Sequence, residues 1–196
     1  MGLIRNPAQV ADVRKAGAEA VICDLEAASA DEAAVLLSGA DAVVFAAGAG
    51  PGSGAPRKDT VDRAASVLMA DAAERAEVRR FVQVSSMGAG QRPRPGAGEV
   101  WGAYITAKTA AEVDLRGRDL DWTILRPGGL TDAPATGMIR LAPPPVPAGT
   151  VPRADVGPDP EMRPAAVYAP SARTSLAPSI LIRSNGRTVQ SRHTWV

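Results

Sequence analysis

The apolar positions of this chain fall into short runs of four or five residues, separated by longer stretches with helical spacing. That alternation predicts βα units and a parallel sheet. Residues 2–5 read as the end of a strand; Asn6 can then cap, and Pro7 open, a helix that runs to about Ala16 and stops at Gly17. Residues 19–23 form the next strand, and Ser29 with Glu32 has the spacing of a capping box for a short helix closed by Gly39. A buried strand is expected at 42–46, then the loop 47–54, a long helix over about 59–76, and a strand at 80–84. A loop rich in Gly, Pro and Arg leads to a helix carrying Tyr104 and Lys108. Residues 122–125 make a further strand, broken at Arg126-Pro127-Gly128-Gly129.

After Val156 the pattern fails. Gly157-Pro158-Asp159-Pro160 cannot continue a helix, so residues 1–156 are expected to form one domain and 157–196 a Pro/Ser/Arg-rich, poorly ordered tail. The strand-like piece at 179–182 has no evident partner in that reading.

Charge changes the picture little. With 22 basic and 21 acidic side chains, nothing calls for nucleic acid or a membrane surface as a partner, and no apolar stretch nears the roughly 20 residues of a membrane helix. The single cysteine, Cys23, excludes an internal disulfide; it lies in an apolar run that predicts a buried strand thiol and fits a reducing cytoplasm. One histidine, His193, near the C-terminus makes His-based catalysis and a His-rich metal site poor readings.

The candidate chemistry lies in Tyr104 and Lys108. Four residues apart, they share one helix face downstream of a strand that ends in Ser85-Ser86. An ammonium beside a phenol would lower the phenol's pKa and make Tyr104 a proton donor and acceptor near neutral pH. Ser86, further past the strand end than Ser85, is the better candidate to orient a carbonyl; alternatively both are small turn residues, and Tyr104 and Lys108 belong to an amphipathic surface helix.

Seven segments occur in order along residues 2–156: Leu3-Ile-Arg-Asn-Pro7, Cys23-Asp-Leu25, Asp41-Ala-Val-Val-Phe-Ala-Ala-Gly48, Arg80-Phe-Val-Gln-Val-Ser-Ser86, Tyr104-Ile-Thr-Ala-Lys108, Thr123-Ile-Leu-Arg-Pro-Gly128 and Val151-Pro-Arg-Ala-Asp-Val156. Together they resemble the atypical short-chain dehydrogenase/reductase family, specifically its NmrA-like NAD(P)H-binding members. The resemblance implies an α/β, Rossmann-like, doubly wound parallel sheet. It also implies NADP, or NAD, as cofactor and a small carbonyl or quinone-like compound as substrate, with Tyr104, Lys108, Ser86 and Ser85 as the catalytic group.

In that reading Lys108 holds the nicotinamide ribose, Asp24 and Leu25 flank the adenine, Ala46, Ala47 and Gly48 lie along the cofactor, and Pro127 and Gly128 close over the nicotinamide. Arg5, where such folds read the adenosine ribose, favours the 2′-phosphate of NADP, or is a solvated strand-end arginine. Asp24 serves equally as a helix cap. Arg153 and Asp155 read as an ion pair or a turn element.

The sequence departs from the family at its start, where a strand and a G-x-x-G-x-x-G turn are expected and neither is found. Gly50-Pro51-Gly52-Ser53-Gly54-Ala55 matches G-x-G-x-x-A, but Pro51 lacks a backbone donor and the bland reading is a flexible connection. Two further readings therefore stand beside the enzyme: a non-catalytic NAD(P)H-sensing regulatory protein, and an N-terminally truncated gene product that is inactive because two sheet edges are left unpaired.

Overall fold

The computed structural model describes residues 1–93, 96–139, 142, 146–156, 182–184 and 187–189. Strand β1 (Gly2–Ile4) turns at Asn6, whose side-chain oxygen accepts from the Ala8 amide at 3.0 Å, and Pro7 opens a 3₁₀ turn, Pro7–Gln9, that continues as α1 (Val10–Lys15). Gly17, at φ +80°, releases the chain into β2 (Ala20–Ile22). Helix α2 (Ala30–Leu37) starts with the anticipated capping box: the Glu32 amide donates to Ser29 Oγ, and the Ser29 amide donates to the Glu32 carboxylate at 2.8 Å.

Strand β3 (Val43–Phe45) leads through a glycine loop into a continuous helix of three parts: α3 (Gly54–Arg57), a π-helical segment Lys58–Ala64, and α4 (Ala65–Arg75). The helix thus starts earlier than the periodicity indicates, and its widened turn has no signature in the apolar spacing. Strand β4 (Arg80–Val84), α5 (Glu99–Arg116) and β5 (Asp121–Leu125) follow. Then come β6 (Gly129–Thr131), β7 (Thr150–Pro152) and α6 (Arg153–Val156).

All pairings up to Val156 are parallel. β1 pairs with β2, β3–β4–β5 form a three-stranded sheet with Phe81 beside Val43 and Trp122, and β6 pairs with β7. Parallel strands flanked by helices give the Rossmann-like α/β class. In β3, Val43 and Phe45 are buried and Val44 is exposed, so one face of this strand is covered and the other open. The covered side is the core: Ala33 and Leu37 of α2, Met69, Ala72 and Ala73 of α4, Leu115 of α5 and fully buried Phe81. The alanines let α2 and α4 approach closely, which makes that contact the tightest helix seam.

Three expectations change. The piece around Ile182 does have a partner: β8 (Ile182–Ser184) pairs antiparallel with β9 (Arg187–Val189), while the rest of 157–196 lies outside the described residues. Cys23 falls just past β2 and is only partly buried, because β2 ends at Ile22. Arg153 and Asp155 do not pair with each other: Arg153 donates to Asp132 at 2.8 Å, and Asp155 accepts from the Thr136 and Gly137 amides, both at 3.0 Å. Residues two apart on a helical turn face apart, which sends the two side chains to different partners.

Candidate functional site

β4 delivers two serines at its C-terminal end. The Ser85 amide extends the ladder by donating to Leu125 O at 2.7 Å, while its hydroxyl donates to Glu112 Oε1 at 2.6 Å. The Ser86 hydroxyl instead donates to Met87 O at 3.3 Å and stands beside the Tyr104 phenol, whose pKa it lowers. The two neighbours therefore serve different centres, one a buried carboxylate and one the phenol.

On α5, Tyr104, Lys108 and Glu112 follow one another at four-residue intervals and form a single stripe. Lys108 and Glu112 are buried, and Tyr104 is half-buried. The Lys108 ammonium lies 3.2 Å from Asp62 Oδ1, donates to Val84 O at 3.2 Å, and sits 5.8 Å from the centroid of the Tyr104 ring. From the other side Lys58 Nζ stands 5.6 Å from the same centroid and donates to Gly50 O at 2.7 Å. Asp62 also accepts from the Ala49 amide at 3.2 Å. It thereby ties the loop after β3 to the lysine on α5.

This arrangement reverses one expectation. Burial pushes the Tyr104 phenol above its ordinary pKa and the Asp62 charge adds to that, against an opposing hydrogen bond from Ser86. Tyr104 therefore stays protonated at neutral pH and is suited to donate a proton. Burial likewise pulls the Lys108 ammonium down, with Asp62 acting to hold the proton on.

Glu112 anchors the structural half of the stripe. Burial favours its neutral form, but hydrogen bonds from Arg126 and Ser85 and the charges of Arg126 and Arg116 outweigh that and hold its pKa below the usual range. A carboxylate shifted in this direction stabilises the fold fully above about pH 4.3, its ordinary value, and the contribution is lost as the pH falls through the lower folded value. Glu112→Gln should therefore flatten the acid limb of a stability profile measured by urea melts between pH 3 and 6.

A cleft of about 800 Å³ opens between β1 and β3, which are not hydrogen-bonded to each other. Its walls include Arg5, Asp24, Leu25, Ala46, Ala47 and Gly48, six of the eight residues anticipated for the cofactor. Asp24 also accepts from the Glu26 amide at 3.0 Å, closing a turn and not capping a helix, since the helix that follows is capped by Ser29. Pro127 and Gly128 are not in this wall; Pro127 O accepts from the Met87 amide at 2.8 Å, beside the serines. A Cβ on Gly128 would come within 2.2 Å of Gly149 O, so backbone contact alone demands glycine there.

At the cleft's outer end Arg5 pairs with Glu26 at 2.8 Å, and Arg57 and Thr60 converge on the same carboxylate. The hydrogen bonds from Arg57 and Thr60 hold Glu26 down to about pKa 2. Arg5 and Arg57 there face two carboxylates, Glu26 and Asp24, so the rim carries paired charges with no net excess. Small residues at 46–48, and an acid and arginines at the strand ends, suit the adenosine and ribose parts of a dinucleotide. Gly50, Gly52 and Gly54, all at positive φ, lie outside the cleft wall, and Gly50 turns its carbonyl toward Lys58 and Ser53. That segment offers the cleft no phosphate cradle.

Lys58, Asp62, Glu112 and Arg57 escaped the sequence reading. Charged residues at helical spacing look like a solvated face; only the four-residue interval from Lys108 to Glu112 hinted that the stripe continues. Among the described residues no helix is long and apolar enough to cross a membrane, and no three His, Cys, Asp or Glu side chains are grouped to hold a metal.

Parallel strands flanked by helices, with a cleft between β1 and β3, are the architecture of a Rossmann-like NAD(P)-binding α/β protein. A sequence profile for NAD(P)H-binding domains matches residues 1–158, and the chain belongs to that family. It is 36% identical over 140 residues to the uncharacterized sugar epimerase YhfK of Bacillus subtilis, covering 71% of this chain and 64% of YhfK. It is also 36% identical over 147 residues to the UPF0659 protein YMR090W of Saccharomyces cerevisiae, covering 71% of this chain and 62% of that one. The chain thus spans under two thirds of the length of these relatives.

Among solved structures, a putative NAD-dependent epimerase/dehydratase from Bacillus halodurans superposes with TM-score 0.68 at 32% identity, covering 79% of this chain and 70% of its own. ChuY, an anaerobillin reductase from Escherichia coli O157:H7, gives 0.63 at 26% identity, covering 83% and 85%.

Proposed function

We propose that the chain binds NADPH along the cleft between β1 and β3 and reduces a small carbonyl or quinone-like compound. The observation that carries this reading is the Ser86–Tyr104–Lys108 group, with a protonated phenol beside a serine hydroxyl and a buried ammonium. When bound, the cofactor would supply the hydride. Ser86 orients the carbonyl, Tyr104 donates the proton to its oxygen, and Lys108 holds positive charge at the ring. ChuY, a reductase of similar fold, lends support to reduction.

The test is direct: titrate NADPH into the full chain by calorimetry, then follow its oxidation over a panel of small aldehydes, ketones and quinones. Saturable binding with turnover supports the enzyme. Binding without turnover of any member would favour a cofactor-sensing role, and no binding would end both.

Arg5 and Arg57 favour NADP over NAD in this reading, because either guanidinium can turn from Glu26 to a 2′-phosphate. A charge-assisted contact to phosphate is worth about 1.5–3 kcal/mol, roughly 10- to 100-fold in affinity. Arg57→Met with Arg5→Met should therefore cut the preference for NADP⁺ over NAD⁺ by about that factor, read as the ratio of the two Kd values.

A further inference from the structure

We propose that Lys58 is the receptor for an anionic oxygen of the substrate, so that the site takes carbonyl compounds that also bear a carboxylate. The inference rests on the reductase reading and names its substrate class. Two buried lysines, Lys58 and Lys108, face the ring of Tyr104, at 5.6 and 5.8 Å from its centroid. Among the described residues one buried carboxylate answers them: Asp62, whose Oδ1 pairs with Lys108 and whose Oδ2 accepts from the Ala49 amide. The other buried acid of the stripe, Glu112, is engaged by Arg126, Arg116 and Ser85. The group around the phenol thus keeps one positive charge in excess.

A buried ammonium is costly without a counter-charge, and the Gly50 carbonyl and an aromatic face compensate it only in part. Gly50 uses one of the three ammonium hydrogens, which leaves two to donate. Trp101 supplies the approach, since its ring lies 5.4 Å from that of Tyr104 and is about half exposed. An aromatic acid would rest on Trp101 with its carboxylate toward Lys58. The phosphates of the cofactor have other candidates: Arg5 and Arg57 line the cleft, and Lys58 does not.

Matched probes, benzoate and benzamide, test this on the full chain through tryptophan fluorescence and NMR. Benzoate should bind about tenfold more tightly than benzamide, about 1.4 kcal/mol. Lys58→Met should erase that preference, Lys58→Arg should keep it, and the NADP⁺ affinity of Lys58→Met should match that of the unsubstituted chain. Should Lys58→Met fail to fold, the unsubstituted chain still decides: benzoate, and not benzamide, must shift the Lys58 ε-methylene resonance.

The proposal is overturned if benzoate shows no preference, if the preference survives Lys58→Met, or if Lys58→Met weakens NADP⁺ and spares benzoate. That last result would give Lys58 to a cofactor phosphate. Failure of NADP⁺ to bind any form would sink the reductase reading alone, because the benzoate comparison needs no cofactor.

Discussion

Tyr104→Phe should lower NADPH-dependent carbonyl reduction by about 10²- to 10⁴-fold, the usual worth of a positioned proton donor, and leave the Kd for NADPH unchanged. The substitution removes one hydroxyl and keeps the ring that packs against Trp101 and faces both lysines. Stability should hold, because the phenol is only half-buried and the Ser86 hydroxyl keeps its hydrogen bond to Met87 O at 3.3 Å. The loss should therefore appear in kcat rather than in KM. Since the phenol's pKa is raised, the rate in the unsubstituted chain should persist through neutral pH and fall only once Tyr104 deprotonates above its ordinary value near 10. A rate that rises as the phenol ionises would contradict the proton-donor role.

Asp62→Ala should destabilise the fold by about 3–5 kcal/mol, because it strands a buried ammonium without its partner. The Asp62 and Lys108 side chains are 1% and 4% exposed, so water cannot take over the interaction. The Ala49 amide loses its acceptor as well. Urea denaturation of the single variant, set beside Asp62→Ala/Lys108→Met, separates charge from packing. The double variant should recover a large part of the loss, since both buried charges are gone. If the single variant proves as stable as the parent, the pair is not the buried clamp described above.

The order of strands and helices up to β5 was legible because each buried strand is a compact apolar run and each turn carries its own chemistry, whereas β6, β7 and α6 were not. Asn6-Pro7, Gly17, Ser29 with Glu32, and Gly39 announce their turns locally. The Tyr104–Lys108 pair was legible for the same reason, being one turn of one helix. Asp62 and Lys58 were not. Their significance comes from α5 packing against the π-helical segment, a contact between residues about 40 positions apart. The phenol's proton affinity was misjudged on similar grounds: proximity of a lysine is visible in spacing, but the carboxylate that neutralises it and the burial that outweighs it are not.

The stripe of Tyr104, Lys108 and Glu112 restricts how this protein can change. One face of α5 meets the reaction centre, the loop after β3 through Asp62, and the β5 terminus through Arg126. A one-residue insertion in α5 upstream of Tyr104 would rotate all three side chains by about 100° and break every one of these contacts together. Catalytic tuning and fold maintenance are therefore inherited as one trait along this helix, and new substrates are more readily reached by altering Lys58, which lies on the π-helical segment outside it.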